Sequence, residues 1–555
     1  MTYDLKAATL PKLGTTALRA VVRLVENGVV GPPLIERLKK DGGLSRIREL
    51  APDEPPTLLP HHAADQRAVP PLIHAPATHE PPGFRFPGID DYHEAYRRGD
   101  LSPEQVAERF IAQRGESERG PRPLRAFIAV RQDDLLAQAR ASAERWRSGK
   151  PLGVFDGVPV AIKDEVDVAG YGTTAGTSFL GREPATADCT VAARLRAAGA
   201  LLVGKANMHE IGINVTGLNP HHGCTRNPYN DAFHTGASSS GSGTAVAAGL
   251  VPVAIGADGG GSIRIPGALC GVVGIKPTFG RVSEHGASPL CWSLAYLGPM
   301  AASVRDCSRT FELVAGADPH DTNSLGHPPV GLDESVPGSL AGVRLGVYWP
   351  WFRHATPEMV ERCEWLVRSL VERGATLHEV EIPELDAQRV AHIVTITSEM
   401  SAAMAPHYAK HRTDFGLDTR VNLAIARSWT AAEYVTAQRL RTRAMAIWAR
   451  AFGSVDAIVT PSTGQTAPRI NEAALPLGES DLSMSLQVMR FAPWSNLTGH
   501  PAITMPAGYD SNGLPIGLQA IGRPWGEQML FRIAAMAELL VERRMPTRWY
   551  PSLGA

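Results

Sequence analysis

Three short segments carry side chains whose types and spacing could do covalent chemistry. The apolar run Val158-Pro159-Val160-Ala161-Ile162 ends in Lys163-Asp164. Burial at the end of an apolar strand disfavours an ammonium and so makes a neutral amine available as a base. The alternative is a lysine that snorkels to water. Gly259-Gly260-Gly261-Ser262 sets a hydroxyl behind three residues without side chains. Such a loop can turn backbone N–H groups inward and admit a substrate carbonyl, as an oxyanion hole requires. Glycine-rich loops also cradle phosphates, but no Gly-Lys-Ser/Thr closes this one. Between the two lies a hydroxyl-rich run, Gly236-Ala237-Ser238-Ser239-Ser240-Gly241-Ser242.

Other chemistries fit poorly. No Gly-x-Ser-x-Gly elbow encloses Ser238 or Ser262, which argues against an α/β-hydrolase triad. His61-His62 and His221-His222 form no His-Glu-x-x-His and read as solvated loop pairs, so no metal site is expected. The six cysteines are scattered with no CxxC pair, which suits reduced thiols in a cytoplasmic enzyme. With 55 Lys+Arg against 56 Asp+Glu, the net charge of −1 gives no general pull on nucleic acid or anionic lipid. Residues 1–12 lack the pattern of a signal peptide. The longest nearly apolar run, residues 244–257, contains Gly249 and Pro252 and is too short for a membrane span.

A chain of 555 residues, 44% hydrophobic and 20% charged, can build a large core, and its elements must position those three segments. Residues 16–27 carry Leu18, Val21, Val22 and Val25 at helical spacing, with Thr15 or Thr16 as a cap. A second helix opens at Pro32-Pro33 and closes on Lys39-Lys40 and Gly42-Gly43. Residues 1–50 are therefore a helical pair, and residues 51–90, dense in proline, an extended connector. A capped helix starts at Ser102-Pro103. From about residue 120, strands (157–162, 200–204, 251–255, 343–347, 457–461, 501–506) alternate with helices (191–198, 244–249, 359–373). This predicts one α/β domain over residues 91–555, its sheet largely buried by helices.

Taken together, the three segments resemble the amidase signature family. The N-terminal helical pair, Gly204-Lys205-Ala206-Asn207-Met208-His209-Glu210, Ser238-Ser239-Ser240-Gly241-Ser242 and Met489-Arg490-Phe491 look most like its plant-type fatty acid amide hydrolases. The resemblance implies a large mixed sheet covered by helices on both faces and a Ser-Ser-Lys triad. Ser262 matches the nucleophile, Lys163 the base, and Ser238 the bridging serine, which the family places on a cis peptide bond. It further implies an oxyanion hole from Gly259, Gly260, Gly261 and Ser262, with Ser239 hydrogen-bonded to Lys163. Asp258 and Arg264 are expected to form an internal pair that shapes the loop. Met208, Thr216, Met489 and Phe491 are expected along a substrate channel, although Met489-Arg490-Phe491 also suits a core helix face. Ala237 departs from the family pattern, and its methyl could narrow the site.

The implied activity is cleavage of lipophilic N-acyl amides, without cofactor or metal, by a cytoplasmic homodimer, with peripheral membrane contact left open. Aryl amides, carbamates or short amides are the alternative substrates. A glutaminase subunit of a tRNA-dependent amidotransferase is disfavoured by the extra N-terminal region. A non-catalytic scaffold is disfavoured by the presence of Lys163, Ser238 and Ser262 together.

Overall fold

The computed structural model describes residues 3–6, 12–63, 73–74, 81–332, 337–475 and 477–554. Pro70, Pro71 and Pro76 of the expected connector lie outside them. Eleven strands make one mixed sheet. Its middle is antiparallel throughout, in the order Pro515–Gly522, Ala502–Tyr509, Val273–Lys276, Leu297–Ala301, Val253–Ala257. Pro159–Lys163 runs parallel to Val253–Ala257 on one side and to Leu201–Ala206 on the other, and Phe127–Ala129 closes that edge antiparallel. Beyond Pro515–Gly522 lie Ala457–Pro461, Arg344–Val347 and Thr376–Glu379.

Every residue of Pro159–Lys163 is buried, as expected of a strand covered on both faces. Val160 and Ile162 join a cluster with Val191, Leu195, Val304, Phe311 and Ile533 from helices on one face. Ala161 points the other way, into a cluster with Ala245, Val246, Phe110 and Leu135. The period of two thus hands alternate side chains to two helical layers.

The N-terminal helices are Thr15–Val25 and Gly31–Asp41. Leu18, Val22, Val25 and Ile35 pack on Val421, Ala424 and Ile425 of helix Leu417–Ala426. Each such burial contributes roughly 1.5–3 kcal/mol. Glu26 accepts two hydrogen bonds from Arg420, at 2.9 and 2.7 Å, beside this seam. Two details depart from the sequence reading. Gly14 holds the N-cap position, so Thr15 and Thr16 do not cap. Lys39 is buried, its Nζ 3.9 Å from the centroid of the Trp429 ring and donating to the Ser428 carbonyl, because the helix docks on the body there. Ser102 does cap helix Pro103–Ser117, in a reciprocal box with Gln105. Two long helices, Leu385–His411 and Ala431–Ala451, were not read from the sequence.

All six cysteines are free and buried. Among the described residues no helix is long and apolar enough to cross a membrane.

Candidate active site

Lys163 ends its strand fully buried, and three groups hold its Nζ: Ser238 Oγ at 2.8 Å, the Ala257 carbonyl at 3.2 Å and Glu165 Oε2 at 2.7 Å. Three partners at these distances leave the side chain one position. Ser238 follows a cis Ala237–Ser238 peptide and stands just ahead of helix Ser240–Ala247. Ser239 makes no hydrogen bond to Lys163. Its Oγ donates to the Ala257 carbonyl at 3.1 Å and accepts from the Ala257 N–H at 3.2 Å, so it braces the peptide that Lys163 also binds. Ala237 is fully buried and stands off the wall of the cavity described below.

The adjoining parallel strand is fixed to this one by charge. Asp164 Oδ1 lies 3.2 Å from Lys205 Nζ, both fully buried, and Asp164 Oδ2 accepts from the Thr174 N–H at 3.1 Å. The hydroxyl-rich run then packs backbone to backbone on that strand's end. A Cβ at Gly241 would fall 2.2 Å from the Ala126 oxygen and 2.3 Å from the Asn207 nitrogen, so only glycine fits.

The loop 258–263 is built around a fully buried ion pair. Asp258 Oδ2 lies 3.0 Å from Arg264 Nε, and Arg264 also donates to Gln519 and Asn496, each at 2.6 Å. Burial alone would raise the Asp258 carboxyl; the Arg264 charge and hydrogen bonds, with a bond from Asn496, hold it well below the usual range. Asp258 also organises the backbone, accepting from the N–H groups of Gly261 at 2.6 Å and Ile263 at 3.1 Å. The Gly261 N–H is therefore committed and is not a free oxyanion donor, contrary to expectation. The N–H groups of Gly259, Gly260 and Ser262 donate to no protein group among the described residues. Gly261 has φ +115° and a Cβ there would strike Ala492, which accounts for the third glycine. The Ser262 carbonyl accepts from the Ser239 N–H at 3.2 Å, tying the loop to the hydroxyl-rich run.

Ser262 and Gly260 open onto a cavity of about 170 Å³. Its other walls are mostly apolar: Ile213, Ile396, Met400, Ile425 and Met489 from the body, and Leu38, Gly42 and Leu44 from the N-terminal region. Of the four expected channel residues, Met489 alone lines it. Met208 and Phe491 are fully buried elsewhere, Met208 among Phe179, Ile211 and Phe415 and Phe491 against the Trp351 ring at 5.4 Å. Thr216 is buried away from it, its hydroxyl accepting from the Leu218 N–H. For Thr216 it is the neighbouring Val215 that faces the cavity instead.

Of the histidine pairs only His61 is exposed as expected, and the other three are partly buried and bonded. His221 Nε2 lies 2.7 Å from Glu210 Oε1, His222 bonds the Thr177 carbonyl, and His62 bonds the Thr498 carbonyl at 2.6 Å. His209 Nε2 lies 3.0 Å from Asp418 Oδ2 and anchors the segment after its strand. No cluster of three or more His, Cys, Asp or Glu placed to hold a metal occurs among the described residues. Two site residues escaped the sequence reading. Glu165 stands two positions beyond Lys163 in the turn that ends the strand, where the Val166 N–H bonds the Lys163 carbonyl at 3.2 Å. His392, on helix Leu385–His411, lines the cavity and bonds Gly259.

The arrangement can therefore present a hydroxyl at an apolar cavity beside unclaimed N–H donors, with a second hydroxyl bonded to a buried amine. Comparisons with known proteins place the chain in a family. A profile of the amidase family matches residues 116–531. The fatty acid amide hydrolase of Oryza sativa subsp. indica is 38% identical over all of this chain and 97% of its own length. A glutamyl-tRNA(Gln) amidotransferase subunit of Symbiobacterium thermophilum is 36% identical over 79% of this chain and 93% of its own. The solved native peptide amidase from Stenotrophomonas maltophilia superposes with a TM-score of 0.71 at 29% identity, covering 83% of this chain and 98% of that one.

Proposed function

From the premise that this chain belongs to the amidase family and hydrolyses amides, we propose that it cleaves lipophilic N-acyl amides through a Ser-Ser-Lys triad and an acyl-enzyme. Ser262 Oγ attacks the amide carbon and passes its proton to Ser238, whose own proton goes to neutral Lys163. The 2.8 Å contact between Lys163 Nζ and Ser238 Oγ supports the second transfer. The proton then returns through Ser238 to the departing nitrogen, which leaves as a neutral amine. Water repeats the sequence on the ester and releases the acid. The N–H groups of Gly259, Gly260 and Ser262 are the donors free to meet the tetrahedral oxyanion, at about 3 kcal/mol per well-placed donor.

The observation that carries the substrate class is the cavity wall. Ile396, Met400, Ile425 and Met489 meet Leu38 and Leu44 beside Ser262, an apolar surface that suits an acyl chain, while Asn214, Arg389, Thr397, Asn422, Asp481 and Ser485 supply the polar part of the lining. The identity to the rice fatty acid amide hydrolase also runs through the N-terminal region that supplies Leu38 and Leu44, whereas the match to the amidotransferase covers only 79% of the chain. A cytoplasmic homodimer remains part of the proposal.

The test is a set of amides with one leaving amine and acyl chains from two carbons upward. The expected outcome is kcat/KM that climbs with chain length until the cavity is filled. A flat or falling series would remove the lipid-amide reading and leave short or aryl amides as the substrates.

A further inference from the structure

We propose that His392 is a positioning residue for the oxyanion hole: by bonding the Gly259 carbonyl it fixes which way the Gly259–Gly260 peptide faces. His392 Nε2 lies 2.9 Å from that carbonyl, and since a carbonyl only accepts, Nε2 carries the proton. Among the described residues the one cis peptide is Ala237–Ser238, so the Gly259–Gly260 peptide is trans. In a trans peptide the C=O and the following N–H point in opposite directions. A carbonyl held toward His392 therefore turns the Gly260 N–H away from the ring, and that N–H is one of the three unclaimed donors beside Ser262. With no side chain on either residue, nothing else in the peptide itself resists a flip. The ring also sits against the glycine, since a Cβ at Gly260 would fall 2.9 Å from His392 Cε1.

The ring is held from behind by its own helix. Gln388, His392, Thr395 and Glu399 follow one another at helical spacing along Leu385–His411, and all four are buried. Gln388 accepts from Trp448 Nε1 at 2.9 Å, Thr395 from Gln438 at 2.9 Å, and Glu399 from the Ser293 N–H at 3.1 Å. This inward polar stripe fixes the helix in rotation and height, and His392 is the member that reaches the loop. Among the described residues its Nδ1 has no partner and the bond to Gly259 is the ring's sole polar tie. The groups that bear on its charge are Asp258, Arg264 and Arg441. Burial, with the Arg441 and Arg264 charges, pulls its pKa down to about 4 against the Gly259 bond and Asp258. At working pH the ring is a neutral donor, outside the proton relay of Lys163 and Ser238.

The inference rests on the oxyanion reading above. The experiment compares His392→Phe, which has no donor, with His392→Gln, which can still offer an N–H. The readouts are kcat and KM on a short amide, affinity for a trifluoromethyl ketone that forms an oxyanion adduct, and the pH profile. For His392→Phe, kcat should fall on the order of 100-fold with KM within about twofold, as for loss of one oxyanion donor. Ketone affinity should fall in parallel, the pH profile should keep its shape, and His392→Gln should recover most of the rate. If His392→Phe does not fold, His392→Asn, too short to reach Gly259, should show the same pattern. A folded donor-less variant with kcat within threefold of wild type overturns the proposal, as does a loss carried by KM or one equally large in His392→Gln. Failure of the underlying reading looks different: Ser262→Ala would then stay active.

Discussion

The two sides of the cavity at Ser262 are made in different ways. On the proposed catalytic side, Lys163, Ser238 and the 258–263 loop come from strand ends and turns, and the polar side chains of Lys163, Asp258 and Arg264 are matched to backbone groups or buried charges. The apolar part of the wall, Leu38, Leu44, Ile396, Ile425 and Met489, comes from separate stretches of chain and is interspersed with polar groups such as Thr397, Asn422 and Asp481. The catalytic side lies wholly within the region matched by the amidase profile, residues 116–531, while Leu38 and Leu44 lie outside it. A site of hydrogen bonds tolerates little movement, since each lost partner strands a buried polar group at about 1–3 kcal/mol. An apolar wall changes by increments of methylene. The same chemistry can thus keep one side and be re-aimed by the other.

If that division holds, damage to the catalytic side should be large and blind to the acyl chain. Ser262→Ala should lower kcat on the order of a millionfold and abolish labelling by a fluorophosphonate, on every chain length alike. Stoichiometric labelling of the variant would place the nucleophile elsewhere. Lys163→Ala should lower the rate by about two to four orders of magnitude at neutral pH, again uniformly, with partial recovery in alkali. A wild-type pH profile in that variant would take Lys163 out of the mechanism.

The contrast also governs what could be read from the sequence. The catalytic side was legible because its residues are contiguous: Lys163-Asp164, the hydroxyl-rich run and the glycine loop each announce a local backbone demand. Even there, the partners supplied by other segments were hidden. The commitment of the Gly261 N–H depends on how Asp258 folds back three residues earlier, and Ser239 reaches Lys163 only through the Ala257 peptide. The apolar wall was barely legible, because a hydrophobic residue at helical spacing looks alike whether it meets core or cavity. Phe491 and Met489 are two positions apart, and only the packing of Trp351 and Trp494 separates their fates. Alternating apolar stretches predicted most outer strands. Within the antiparallel middle, Val253–Ala257 and Ala502–Tyr509 were also legible as apolar stretches, whereas the short Val273–Lys276 and the glycine- and proline-containing Leu297–Ala301 went unread.

Glu165 sharpens the comparison at a smaller scale. Glu165→Gln keeps the shape and removes the charge 2.7 Å from Lys163. Removing one partner of a buried polar contact costs about 1–3 kcal/mol, so the thermal melt should drop and any change in rate should be equal on short and long amides. An unchanged melt would mean that the pair is not formed in solution. A related pH effect belongs to His392, whose pKa lies at about 4 in the fold and near 6.5 when unfolded. The folded state then binds fewer protons between those values, so stability is full above about pH 6.5 and is lost as pH falls toward 4. That loss should be shallower in His392→Gln, and equal slopes would show that the ring is solvated.

The smallest effect is the one that tests the far wall. Leu38 and Leu44 touch the cavity but none of the polar framework, so Leu44→Ala should leave the two-carbon amide almost untouched. For longer chains, each methylene that no longer finds apolar contact forfeits about 0.8 kcal/mol, roughly fourfold in kcat/KM. The loss should therefore be near zero at two carbons, grow where the chain reaches Leu44, and level off beyond it. Leu38→Ala should bend the series at a different length if the two residues lie at different depths along the chain. Leu18→Ala is the control: it weakens the same helical pair from the seam with Val421 and Ile425, without touching the cavity. It should lower the melt by a few degrees and leave the chain-length series parallel to that of the wild type. If Leu44→Ala and Leu18→Ala gave the same length-independent loss, the N-terminal helices would be braces only. The acyl wall would then have to be sought entirely within the segment shared with other amidases.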